Sequence, residues 1–175
     1  KKNQRMKREE VKIYFFCIPD MEKQIGGIKQ IHRHVENLTK LGYDAKVITE
    51  KKDFRPKWFK SNAKVLSIYE AIQTKQFDKR NAILVIPETY AGIDFSDYFG
   101  QSFIGYKRVV FNQNAYYTYS GNTIEQVSNF YHDKDTIQVL SISENTHDFL
   151  TRNVGIKDDK ITRIINGIED KFINE

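Results

Sequence analysis

The residues in this chain best suited to chemistry stand in short clusters, each just after an apolar run. Gly26 and Gly27 come soon after the apolar run at 12–18 and lead straight into an amphipathic segment at 28–41. A glycine pair in that position turns backbone amides and a helix N-terminus toward whatever lies beyond the run. Those amides lack intrahelical partners and carry the positive end of the helix dipole, so they suit a phosphate or a sugar hydroxyl. Glycine also allows φ > 0 and lets a ligand approach the backbone closely. Glu88 follows the run at 81–87, where a carboxylate either faces solvent or binds an acceptor. Gln113 and Asn114 end the run at 108–112, and two adjacent amides there can read hydroxyls. Tyr116, Tyr117 and Tyr119 can stack on sugar faces or pack on a core. Gly26, Gly27, Glu88, Gln113, Asn114 and Tyr116 are therefore the candidate substrate-binding residues, and no catalytic residue is singled out.

Other chemistries find less support. The dinucleotide fingerprint G-x-G-x-x-G is missing, and no acidic residue closes the second apolar run before Thr49, so no nicotinamide cofactor is expected. His32 and His34 are two apart on a helix and face different ways, while His132 and His147 lack a ligand pair at metal spacing. Each histidine reads as a surface or capping residue, and no metal is expected. The lone Cys17, inside an apolar run, reads as a small core residue of a chain in a reducing, cytoplasmic setting.

The elements that must position these residues alternate between strand and helix. Strands are expected at 12–18, 45–49, 64–68, 81–87, 108–112, 137–141 and 160–165. A helix at 28–41 places Ile28, Ile31, Val35, Leu38 and Leu41 on one stripe and ends at Gly42. Further helices are expected at 69–76 and at 144–152, the latter capped by Ser143 and stopped by Gly155. This order predicts an α/β fold with a Rossmann-like, mostly parallel sheet and helices on both faces. Ligands of such sheets bind beyond the carboxyl ends of the strands, which is where all the candidate residues fall, together with Ser141 and Ser143.

Composition sets the outer bounds. A chain of 175 residues with 39% hydrophobic and 29% charged residues forms one globular domain with a real core. There is no apolar run near 18 residues and no signal-peptide pattern. The formal net charge of +5 owes much to the first eight residues, of which five are Lys or Arg. Residues 1–10 read as a loose, solvated basic tail, with attraction to an anionic membrane surface, worth ~1 kcal/mol per basic residue, as its functional alternative. No nucleic-acid recognition motif accompanies the charge, and no nucleic-acid partner is expected.

Two segments resemble one known family. The first runs Gly26-Gly27, then His34-Val35-x-x-Leu38-x-x-x-Gly42-Tyr43-x-x-x-Val47. The second runs from Leu140-Ser141-Ile142-Ser143-Glu144 through Phe149-Leu150, Gly155-Ile156 and Lys160-Ile161 to Asn166-Gly167-Ile168-Glu169-x-x-Phe172. Together they resemble the N-terminal half of retaining, nucleotide-sugar-dependent glycosyltransferases of the GT-B fold, the glycosyl transferase group 1 family. The likeness spans about residues 11–172, with Tyr43 where the family commonly has His and Gln113 where it usually has His after a strand. The resemblance implies an acceptor-binding domain at 11–172 of a polysaccharide- or glycoconjugate-building enzyme, cytoplasmic or peripheral at the inner membrane face. A nucleotide-sugar donor would be held mainly by a second domain, whose E-x7-E element does not occur before Glu175, and a carbohydrate or lipid-linked acceptor would lie on this one. Transfer would retain anomeric configuration without a metal, and the domain alone is expected to fold but not to transfer sugar. The alternative is a non-catalytic carbohydrate- or partner-binding domain on the same fold.

Overall fold

The structure is a computed structural model that describes residues 7–167. The outer parts of the basic tail, and Ile168, Glu169 and Phe172 of the second motif, lie outside the described residues. Seven strands form one wholly parallel sheet in the order β3-β2-β1-β4-β5-β6-β7. They are β1 (Lys12–Phe16), β2 (Asp44–Thr49), β3 (Val65–Ser67), β4 (Ala82–Pro87), β5 (Lys107–Asn112), β6 (Thr136–Ser141) and β7 (Ile161–Arg163). The chain is thus α/β and Rossmann-like. The order reverses direction between β1 and β4, which pair with Lys12 opposite Ala82 and Phe15 opposite Val85. Side chains along β1 alternate between the faces: Tyr14 and Phe16 enter one core, Phe15 the other.

Helix α1 (Gly26–Lys40) covers the Phe15 face through Ile31 and Val35. Helices α2 (Ile68–Gln73), α3 (Phe95–Phe99), α4 (Ile124–His132) and α5 (Glu144–Phe149) lie on the Tyr14 face, with Ile68, Phe95, Val127 and Phe130 in its core. This split follows from right-handed crossovers, because the chain steps one way from β1 to β2 and the other way from β4 onward. Helix caps follow local chemistry: the Ser143 hydroxyl accepts from the Thr146 amide, as expected, and Thr123 with Gln126 forms a capping box before α4. Gly42 (φ +88°) and Gly155 (φ +77°) supply the left-handed turns after their helices.

Several expectations need correction. Leu41 caps α1 rather than extending its stripe and is 58% exposed. His32 joins the buried side of α1, only 1% exposed, its Nδ1 2.8 Å from the Ser61 hydroxyl and its ring edge-on to Phe59. His34 faces the other way, stacked on Phe15 and edge-on to Phe111, so neither is a surface residue. Burial lowers the pKa of both, that of His32 to about 4. At the start of the described residues, Arg8–Glu10 form an exposed 3-10 turn, and the Arg8 guanidinium lies 5.7 Å from the centre of the Tyr43 ring. No described helix is long and apolar enough to cross a membrane.

Candidate functional site

The carboxyl ends of β1 and β4 open onto a cleft of about 440 Å³ at the point where the strand order reverses. Each wall is built by one connection. The first is the N-terminus of α1, where Gly26 and Gly27 are the first two helical residues after Ile25, which makes no side-chain cap. Their amides have no intrahelical acceptor, and the first turn holds no acidic side chain that would neutralise them. Neither glycine has positive φ, which corrects the expected conformational role. What Gly27 supplies is room. A Cβ there would stand 3.1 Å from Nε2 and 3.3 Å from Cδ of Gln113, whereas one on Gly26 would meet nothing within 4 Å.

Gln113 arrives on the opposite wall from the end of β5, and its Nε2 donates to the Gly27 carbonyl at 3.3 Å. This bond ties the two halves of the sheet together across the switch point. Asn114 also lines the cleft, with its Oδ1 accepting from the Tyr116 amide at 3.0 Å, so that oxygen caps the 3-10 turn Ala115–Tyr117. The turn directs Tyr117 to the cleft, while Tyr116 is not among the lining residues and is 86% exposed.

Glu88 closes the floor. It is 3% exposed and lines the cleft, which rules out the solvent-facing alternative. Burial raises its carboxyl above the usual 4.5, and hydrogen bonds from its own amide and those of Gln113 and Asn114 oppose that rise. Behind it, Asn112 is fully buried and its Nδ2 donates to Thr118 and Tyr131 hydroxyls, both at 2.8 Å. This network fixes the start of the loop that carries Gln113 and Asn114. Ser141 is buried with no partner for its hydroxyl among the described residues and Ser143 caps α5, and neither lines the cleft.

The third wall is the loop at 18–25, which sequence reasoning passed over. Ile18, Pro19, Met21 and Ile25 line the cleft, joined by Cys17 and Tyr90. Cys17 is half-buried, packed against the Phe15-face core and reaching this wall, and burial pushes its thiol up to about 12, so it remains protonated near neutrality. The loop carries no periodic signal: its apolar residues Ile18, Pro19, Met21 and Ile25 are unevenly spaced.

The arrangement can bind a hydroxyl or a partial negative charge between the α1 amides, the Gln113 and Asn114 side chains and the Glu88 carboxyl. No protein-family model matches the chain, and no curated protein matches it.

Proposed function

We propose that this domain binds the acceptor in a retaining, nucleotide-sugar-dependent glycosyl transfer, acting beside a donor-binding domain of a GT-B enzyme. The observation that carries the reading is the convergence of the Gly26 and Gly27 amides, Glu88 and Gln113 on one cleft at the switch point. Sequence motifs at both ends of the chain support it. In the reaction, the acceptor hydroxyl oxygen bonds to the anomeric carbon on the face from which the diphosphate departs. The bond to the phosphate oxygen breaks, and the diphosphate leaves with the electron pair and takes up the hydroxyl proton. The α1 amides compensate charge growing on the departing oxygen, while Gln113 and Glu88 orient the attacking hydroxyl. Site and basic tail together suit work on the cytoplasmic side, at or near an anionic membrane.

The test is acceptor-dependent release of nucleoside diphosphate by the protein that joins this domain to a donor domain, across a panel of nucleotide-sugars and alcohols. Turnover with at least one pair, reduced tenfold or more by Glu88→Gln, is expected. Glycoside binding without turnover on any pair would replace the transferase reading with a carbohydrate-binding one. Among the described residues the lining of the cleft contains no Lys or Arg to hold a diphosphate by itself, which makes that second reading the natural rival.

A further inference from the structure

The wall at 18–25 says more about the acceptor than the polar floor does. None of its polar side chains lines the cleft, and its two carboxylates are spent on anchoring. Asp20 accepts the amides of Glu50 and Lys51 at 2.8 and 2.7 Å, and Glu22 accepts that of Lys57 at 2.9 Å. At the near end, the Ile18 amide donates to the Tyr90 hydroxyl at 2.9 Å. The loop is therefore tied at its near end and through its middle and runs directly into α1, so that Ile18, Pro19, Met21 and Ile25 form a standing apolar surface along an open cleft. A site for a bare sugar would offer hydroxyl-binding groups on this side. The charge of the cleft is equally specific: among the described residues that line it, Glu88 is the carboxylate and none is Lys or Arg.

We infer that the acceptor is an uncharged amphipathic alcohol, whose reacting hydroxyl lies at Glu88 and Gln113 while a hydrocarbon group beside it packs on Ile18, Met21 and Ile25. The inference rests on the acceptor-binding reading and narrows it. Each methylene that leaves water on such a wall multiplies affinity by about fourfold, so burying about two or three gives a gain above tenfold.

Calorimetric titration of the chain with methyl β-D-glucoside, octyl β-D-glucoside below its micelle concentration, and octyl phosphate tests this directly. Octyl glucoside is expected to bind at least tenfold tighter than the methyl glucoside and tighter than octyl phosphate. The gain from the octyl chain should fall below threefold in Met21→Gln/Ile25→Gln, with folding verified by circular dichroism. Should that double variant not fold, Met21→Gln alone is expected to lose at least half of the gain. Equal affinity of the two glucosides, no binding of octyl glucoside, undiminished gain in the folded variant, or octyl phosphate as the tightest ligand would each overturn the inference. Equal glucoside affinities leave the transferase reading standing, since that reading falls only with the loss of acceptor-dependent turnover.

Discussion

Replacing Gly27 by alanine separates ligand binding from folding at the centre of the cleft. The added Cβ would sit 3.1 Å from Nε2, 3.3 Å from Cδ and 3.3 Å from Oε1 of Gln113, so that side chain must yield by a few tenths of an ångström. The backbone has no objection, because φ at Gly27 is not positive. Alanine in a helix and the loss of glycine freedom from the unfolded chain together favour folding by up to ~1 kcal/mol. Against this stands the long Gln113–Gly27 hydrogen bond, worth about 0.5–1.5 kcal/mol, so net stability should change by no more than about 1 kcal/mol. Binding behaves differently, since Gln113 is displaced and the methyl narrows the approach to the α1 amides. On the proposed reading kcat/KM falls by roughly tenfold to a thousandfold, the cost of one oriented electrostatic contact. Chemical denaturation and turnover are measured on the same preparations, with Gln113→Ala and the double variant completing a cycle. If Gln113 is the obstacle, Gly27→Ala should cost less stability once Gln113 is already truncated. Near-normal turnover in a well-folded Gly27→Ala protein would refute the ligand role of the glycine pair. A stability loss above about 2 kcal/mol that persists in the Gln113→Ala background would refute the packing argument.

Three further outcomes are expected. The raised carboxyl of Glu88 is protonated more readily in the folded than in the unfolded chain, so its contribution to stability is full at low pH and is lost as pH rises above about 4.5. Glu88→Gln should therefore remove a component of urea-denaturation stability that declines from pH 4.5 toward neutrality, and an unchanged slope would count against a buried, titrating Glu88. His32 acts with opposite sign. Its folded pKa of about 4 against an ordinary 6.5 means that its stabilisation is present above 6.5 and is lost as pH falls to 4. The loss amounts to up to about 3 kcal/mol, and His32→Gln should flatten it, as read from denaturation midpoints at pH 7 and pH 4. At the amino ends of β1 and β2, Arg8→Ala should cost no more than about 1 kcal/mol in thermal unfolding, the scale of an exposed cation–π contact, and a larger loss would show that the basic end is a structural element.

Much of the fold was legible in local patterns. The apolar run leading into Gly26-Gly27, the stripe Ile28, Ile31, Val35 and the stop at Gly42 required only neighbours within a turn or two, and β1 and α1 fall within two residues of their expected positions. The signal for α4 was present as well, in Thr123-x-x-Gln126 followed by Val127, Phe130 and Tyr131 at helical steps. The site was legible only in part. That Gly26, Gly27, Glu88, Gln113 and Asn114 share one cleft follows from their places at strand ends, once the strands are put in order. Their individual roles do not follow. Glu88 is buried because two loops far apart in sequence bring amides of Gln113 and Asn114 onto it. Tyr117 rather than Tyr116 lines the cleft because a 3-10 turn capped by Asn114 sets the phase of that segment. Gly27 matters for the space it leaves to a side chain 86 residues away, not for φ. Periodic burial is a property of short segments, so the sequence carries it openly. Which strand lies beside which, and hence which loops meet over the sheet, is decided by contacts between distant segments, and here those contacts bring five residues from three separated segments onto one cleft.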